Sequence, residues 1–401
     1  MAGPVESAAG EGAYPLAGLK VLDLSRVLAG PFAGRMLSDL GAEVVKVEPP
    51  DGDVTRQWGK VTAGLPGYYF QQNAGKRNVS IDLRAPGARE LVLALARRAD
   101  VLIENYRPDV MPRLGLGWDA LHAANPRLIM LSISGFGQGG PESHRAAYAP
   151  IVHAESGLME RSQRRSGGLP RRDLPLSVAD TNASLHGLVG LLAAVIMRQR
   201  TGVGQHVDIA MIDATVATDD QLQYDLEGSE GSAPLPSDTW ETGAGPILVS
   251  GDFRYIWRLL TSRLGVAEVS APNLETKIAA RRAAVAEFML SLKTWPEVEA
   301  AFAKMNVAWG EVRPARNVRA QPTLVHRGSI VEVDDRAGGT RPVTQSPYRW
   351  STAKSGVKGP APHRGEHNAE VLAEWLDLSE AEVADLAAAG VLLQDEAAAG
   401  Q

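Results

Sequence analysis

The stretch "LKVLDLSRVLAGPFAGRMLSDLGAEVVKVEPP", residues 19–50, decides the fold. "LKVLDLS" reads as a short buried strand. "GPFAGRMLSDLGA" reads as a helix, with Pro31 near its first turn and Gly41 just past its end, the positions those residues favour. "EVVKVEPP" is the next strand. A strand, a helix and a strand within about thirty residues require a crossover connection, and so a parallel pair.

The same rhythm continues outward. "NVSIDL" (78–83), "VLIENY" (101–106) and "RLIMLSIS" (127–134) read as strands, and "PGARELVLALARRA" (86–99) as a helix. The expectation is an α/β fold built on a mostly parallel sheet. Such sheets present ligands at the carboxyl ends of their strands. That draws attention to the loops at Arg26–Gly30, Asn105–Pro108 and Gly135–Gly140. Helix is expected to dominate from Thr181 to about Glu227. "EGSEGSAPLPSDTWETGAG" (227–245) is rich in Gly, Ser and Pro and reads as a linker or mobile loop. A strand at "PILVS" and helices around Phe253–Leu264 and Thr276–Leu292 follow. The tail returns to strand at "SIVEVDD" (329–335), and "SEAE" at Ser379–Glu382 is a capping box for a last helix. The predicted organisation is a large domain over 14–225, a small α/β domain over 226–328, and a segment over 329–401 that rejoins the large domain.

Composition narrows the function. The chain has 401 residues, 44% of them hydrophobic and 22% charged, as in an ordinary globular protein large enough for two domains. Its formal net charge of −6 argues against a general nucleic-acid binder. It contains no cysteine, which excludes disulfides, thiolate metal ligands and cysteine nucleophiles, and suits a reducing cytoplasm. The eight histidines show no metal-ligand spacing, so no metal is expected. No secretory signal is visible, the first residues read as a tail, and the apolar window at Leu188–Met197 is too short to span a bilayer. No membrane association is expected.

One carboxylate stands out. Asp180 precedes the long, nearly uncharged run "TNASLHGLVGLLAAVIM" (181–197). An aspartate there can cap the helix by accepting N–H bonds from its first turn. It can equally be a nucleophile toward an activated acyl group, held as an anion by the helix N-terminus. The two roles need similar surroundings, and the pattern fits both. "GQGGP" (137–141) and "LAGPFAG" (28–34) match neither a Walker A loop nor the dinucleotide fingerprint. Lys76, Arg77, Arg107 and Arg113 near element ends fit either solvated charges or a phosphate site.

With these residues in view, the sequence resembles the family III CoA-transferases, a group that includes formyl-CoA and carnitine CoA-transferases and the methylacyl-CoA racemases. The resemblance runs through residues 16–59, "NAGKRNVSIDLR" (73–84), residues 99–141, "VADTNASLHGLVGLLAAVIMRQRTGVGQHVDIAMIDA" (178–214) and residues 362–392; about 215–325 match weakly. It implies a Rossmann-like large domain, a small domain, and two chains interlocked as a homodimer. It implies acyl-CoA:carboxylate CoA transfer, with an acyl-CoA donor and a carboxylic acid acceptor as partners, CoA or acyl-CoA as substrate, and no tightly bound cofactor. Asp180 aligns with the catalytic aspartate. The implied CoA-binding residues are Val27, Leu28, Ala29, Asn73, Gly75, Lys76, Asn105, Tyr106, Arg107, Arg113, Arg145 and Tyr148.

The sequence departs from the family pattern in places. Ala149 stands where an acidic residue is common, and Pro49 where some members carry a base. Tyr148 occupies the position of the racemases' histidine, with His153 nearby but out of register. Gly243 and Gly245 are the candidates for a glycine-rich loop over the aspartate. Two alternatives therefore stand beside transfer: an acyl-CoA racemase or epimerase, and a CoA-binding relative with reduced catalysis.

Overall fold

A computed structural model describes residues 12–168, 170–229 and 237–395. It divides into two compact units, one formed by the chain up to Asp220 together with Arg327 onward, the other by Gln221–His326.

The first unit is organised by one sheet. Its strands are β1 (Lys20–Asp23), β2 (Glu43–Glu48), β3 (Arg77–Ile81), β4 (Val101–Glu104), β5 (Ile129–Ser134), β6 (His206–Ala210) and β7 (Leu392–Leu393). They lie in the order β7-β3-β2-β1-β4-β5-β6. All neighbours are parallel except β7, which runs antiparallel to β3. Strand order thus reverses at β1, whose two neighbours are β2 and β4, and a doubly wound sheet opens a crevice at that point.

Both faces of the sheet are covered, as parallel strands require. Alternate residues of each strand point to opposite faces. Leu22, Val45, Val79, Leu102 and Met130 pack with Leu91, Leu95 and Ala96 of helix α2 (Ala88–Arg98). Val21, Val44, Ile103, Ile129 and Leu131 face the other side, with Ala33 and Leu37 of α1 (Ala29–Asp39) and with Ala183 and Leu191 of α4 (Val178–Thr201). A short helix, α3 (Ala149–Glu155), adds Ala149 and Val152 to that second core.

The 24-residue α4 is, among the described residues, the one helix long and apolar enough to cross a membrane. The ten-residue window read from the sequence understated it. Here the helix carries Ala179, Ala183, Leu188, Leu191 and Ala194 into the core.

Two expectations need refinement. Helix dominates from Thr181 to Glu227, but a strand interrupts it. α4 ends at Thr201, where Gly202 adopts φ +77°, and the chain turns into β6. At Gly204 a Cβ would collide with the Leu128 carbonyl, so only glycine lets the chain pass. The supposed linker also carries a strand, Asp238–Glu241, because Trp240 supplies a side chain for the core of the second unit. Residues 230–236 of that stretch lie outside the described residues, as does the N-terminal tail over 1–11.

In the second unit, the strands Asp238–Glu241, Pro246–Val249 and Trp309–Glu311 form an antiparallel sheet. Helices Phe253–Leu264, Leu274–Ser291 and Trp295–Met305 enclose a core that includes Ile247, Leu260 and Phe302. Gly243 and Gly245 lie in the hairpin turn between the first two strands, where Thr242 and Gly245 exchange backbone hydrogen bonds. At the other end of the chain, the Ser379–Glu382 capping box is present as the spacing predicts.

Candidate active site

Two clefts open at the carboxyl ends of the parallel strands. One, of about 540 Å³, is lined by the segments that follow β1, β4 and β5, and Asp180 stands in its wall. The other, of about 600 Å³, is lined by the segments that follow β1, β2 and β3. Arg26, Arg84, Tyr106, Val110 and Arg113 belong to both. The crevice expected where the strand order reverses is therefore present, with β1 and β4 at its centre.

Its central wall is the β1–α1 connection, which is held in an unusual shape. Val27 has φ +67°, a left-handed conformation that a β-branched residue rarely adopts. The Asp53 carboxylate accepts the Val27 N–H at 3.0 Å, together with the Thr55 N–H and hydroxyl. Lys46 pairs with Asp53 at 3.2 Å and donates to the Ser25 carbonyl at 2.7 Å. Burial would raise the Asp53 carboxyl, but Lys46 and the Thr55 and Val27 donors outweigh it and hold it below its ordinary value. From the other side, Asn105 accepts the Arg26 N–H and donates to the Arg26 carbonyl, both at 2.8 Å. At Gly30 a Cβ would collide with the Ser25 side chain, which is the packing reason for a glycine there.

This clamped loop turns directly into α1 and presents the Ala29 N–H to Asp180. Asp180 is nearly buried. Burial raises its carboxyl from 3.8 to about 6, against the opposing pull of the Ala29 N–H, His153, the Ala149 N–H and its own backbone N–H. Ala29 and Ala149 are the first residues of α1 and α3, and Asp180 is the third residue of α4. Three helix starts therefore converge on one carboxylate. The cap position of α4 belongs to Ser177, not to Asp180. No Lys or Arg forms an ion pair with Asp180 among the described residues, and the main pulls that oppose burial come from amide N–H groups and His153. Ser184 ties the helices together, its single hydroxyl proton within hydrogen-bond reach of the carbonyls of both Ala29 and Asp180. Burial and the charges of Asp180 and Asp53 push the Tyr68 hydroxyl up to about 12, so it stays protonated.

Of the residues singled out in the sequence, Val27, Ala29, Asn105, Tyr106, Arg107, Arg113, Arg145, Tyr148 and Asp180 line the cleft together. Leu28, Asn73, Gly75 and Lys76 are not among its lining residues. Leu28 is buried, and its carbonyl accepts the Phe32 N–H at the start of α1. Lys76 is buried beneath α1, where it donates to Asp23 at 2.8 Å and to the Pro31 carbonyl and Asn73 at 2.9 Å. Those three acceptors saturate its ammonium group, so none of its donors is left for a ligand. The Gly75 N–H is taken by the Pro360 carbonyl. Arg145 is held by Glu142 and Glu155 and lies over the Phe136 ring. From the sequence, Arg26 is named only as the start of a strand-end loop and Arg84 not at all, although each follows a predicted strand within three residues. The side chains of Arg26, Arg84 and Arg107 make no hydrogen bond or ion pair among the described residues, and all three are exposed at the cleft.

The histidine near the site is accounted for. His153 is fully buried, with Nδ1 2.7 Å from Asp173 and Nε2 3.2 Å from the Ala179 N–H. No histidine lines the cleft, and no group of side chains suited to hold a metal ion occurs among the described residues.

The sequence profile of CoA-transferase family III matches residues 16–368, nearly the whole chain. The chain belongs to CoA-transferase family III. Family III relatives align end to end. A succinyl-CoA–D-citramalate CoA-transferase of Chloroflexus aurantiacus is 33% identical over 399 residues, covering 94% of this chain and 98% of the relative. A succinate–glutarate CoA-transferase of Agrobacterium fabrum is 33% identical over 383 residues, covering 90% and 95%. Among solved structures, a CaiB/BaiF family protein from Brucella suis superposes with a TM-score of 0.76 at 32% identity, covering 90% of this chain and all of that one. CoA thioesters are the substrates of family III enzymes.

Proposed function

We propose that this CoA-transferase moves CoA between two carboxylic acids through covalent intermediates on Asp180. The observation that carries the reading is a cleft-wall carboxylate with no Lys or Arg partner among the described residues, faced by the N–H groups of Ala29 and Ala149. A carboxylate oxygen of Asp180 attacks the thioester carbonyl of the donor. The C–S bond breaks and CoA leaves as a thiolate, giving a mixed anhydride. The thiolate then attacks the Asp180 carbonyl carbon. The anhydride C–O bond breaks, the donor acid departs as a carboxylate, and an aspartyl-CoA thioester remains. The acceptor carboxylate attacks that thioester, releasing the thiolate and forming a second anhydride. The thiolate finally attacks the acceptor's carbonyl, which frees Asp180 and completes the product thioester. Every step exchanges one acyl bond for another and needs no net proton. The Ala29 and Ala149 N–H groups are placed to take charge as it develops on the aspartyl carbonyl oxygen.

CoA is elongated, and we place its acyl-pantetheine arm in the cleft that holds Asp180. The nucleotide lies toward the adjoining cleft, with its phosphates among Arg26, Arg84 and Arg107. Racemisation would need a base at the α-carbon; His153 is buried with both nitrogens engaged, which favours transfer. An interlocked homodimer is part of the same proposal. The exposed stripe of Leu185, Val189, Ile196 and Met197 along α4 is an apolar surface that a second copy would cover.

Addition of acyl-CoA followed by hydroxylamine is expected to give an aspartyl hydroxamate at Asp180, detected by peptide mass. Asp180→Ala should abolish it and lower transfer by on the order of 10³ or more. Retention of turnover by Asp180→Ala would remove it from the nucleophile's role. Transfer is expected to rise with pH through about 6 as the carboxyl ionises. A folded, active monomer at nanomolar concentration in mass photometry would overturn the dimer.

A further inference from the structure

The start of α4 carries N–H groups that the helix itself cannot satisfy. The Val178 N–H goes to the Leu176 carbonyl. The Asp180 N–H acts on its own carboxylate. That leaves the Ala179 N–H, the group a cap side chain ordinarily receives, and Ser177 provides no such bond. The acceptor comes instead from another helix: Nε2 of His153, at 3.2 Å.

For Nε2 to accept, the ring proton must sit on Nδ1. Asp173 enforces this, because its carboxylate lies 2.7 Å from Nδ1 and can only accept. Ala179 can only donate. In the neutral ring the two partners together select the Nδ1–H tautomer, and the ring is fully buried. The same short helix does two things at one site. Its first residue turns an N–H toward the Asp180 carboxylate, and His153, four residues on, holds the N–H of Ala179, the residue before Asp180.

We propose that His153, with its tautomer set by Asp173, is a positioning residue that fixes the reacting carboxylate of Asp180 relative to the thioester. It touches neither CoA nor the acyl group. It acts through the Val178–Asp180 turn, which the Ala179 amide anchors. This rests on the proposal that Asp180 is the nucleophile.

The test compares four variants with the full-length enzyme in steady-state transfer from succinyl-CoA to a panel of carboxylic acids. His153→Ala and Asp173→Ala are expected to lower kcat roughly 10- to 100-fold, the effect of misplacing a reacting group, while KM for the acyl-CoA stays within about 2-fold. His153→Gln keeps a neutral acceptor for the Ala179 N–H and should restore kcat to within about 3-fold of the parent, as a good hydrogen-bond replacement does. In Asp173→Ala the imidazole nitrogen signals in NMR should show loss of the single Nδ1–H tautomer, a readout that needs no turnover. Equal kcat in His153→Ala and the parent overturns the inference. So does a His153→Gln variant as impaired as His153→Ala, or an unchanged tautomer in Asp173→Ala. If His153→Ala does not fold, the Gln and Asp173 variants decide. Asp180→Ala, run alongside, separates the two readings: its retention of turnover removes the nucleophile, whereas its inactivity beside a fully active His153→Ala removes only the positioning role.

Discussion

Asp23 under α1 and Asp180 at the cleft are both buried aspartates of the same unit, and they meet opposite surroundings. Asp23 receives Lys76 at 2.8 Å and the Ser25 N–H at 3.0 Å. Burial alone would raise its carboxyl, but Lys76 and Lys46 outweigh burial and hold it below the ordinary value. Asp180 has no such cation, burial prevails, and its carboxyl rises to about 6. The cations divide along the same line. Lys46 and Lys76 are buried and committed to Asp53 and Asp23. Arg26, Arg84 and Arg107 at the cleft are uncommitted among the described residues. Charge that the chain neutralises for itself builds the floor; charge it leaves unanswered lines the cleft.

The comparison can be broken most forcefully at Lys76. Lys76→Ala leaves Asp23 buried without its hydrogen-bonded cation and should cost about 3–5 kcal/mol in urea unfolding. The affinity of the folded fraction for CoA, by calorimetry, should not change. A specific loss of affinity would return Lys76 to the ligand set.

The opposite outcome is expected at Asp180. Its carboxyl holds a proton more tightly folded, at about 6, than unfolded, near 3.8, so ionisation opposes folding. The favourable contribution of the protonated form is present at low pH and is lost as pH rises through about 6. Asp180→Asn removes that dependence. It should stabilise the protein by up to about 3 kcal/mol above pH 6 and by almost nothing below pH 4. Equal gains at pH 4 and pH 8 would place the effect elsewhere.

Arg107→Ala tests the uncommitted cations. Loss of a hydrogen bond to a charged group should weaken CoA binding by about 1.5–3 kcal/mol with the melting temperature unchanged. A parallel loss of stability would mean that Arg107 belongs to the floor.

Arg113 sharpens the boundary with the smallest effect. It lines both clefts, yet pairs with Asp109 at 3.0 Å on exposed surface. Asp109→Ala should change unfolding free energy by less than about 1 kcal/mol. It should tighten CoA binding by releasing the guanidinium; weaker binding would assign Arg113 a structural role.

What could be read from the sequence followed the strength of local signals. β1, α1, β2, α2, β4 and β5 were legible because period, caps and turn residues agree over short windows. β6 was hidden behind a long helical run, although Gly202 and Gly204 announce the break. The strand Asp238–Glu241 was masked by the Gly, Ser and Pro around it, and only the packing of Trp240 makes it a strand. At the site, the carboxyl-end loops pointed to the cleft. The left-handed Val27 could not be read, because a valine disfavours that backbone and is held there by Asp53, 26 residues away. Lys76 entered through the family resemblance, and the sequence does not say that its ammonium meets Asp23, Asn73 and the Pro31 carbonyl beneath α1. His153 and Asp173 become partners only when α3 and α4 meet.

The last strand of the sheet has a consequence for synthesis. β7 pairs Leu392 with Ile81 and Leu393 with Ser80. Roughly 310 residues therefore leave the ribosome between β3 and the segment that covers its edge, on the order of tens of seconds at 5–20 residues per second. Throughout that interval the nascent chain carries an open strand edge, a template for wrong pairing with neighbouring chains. A stop codon a few residues before Leu392 would make the exposure permanent, so loss of this short C-terminal segment is expected to appear as aggregation during expression, with the distant surroundings of Asp180 never directly disturbed.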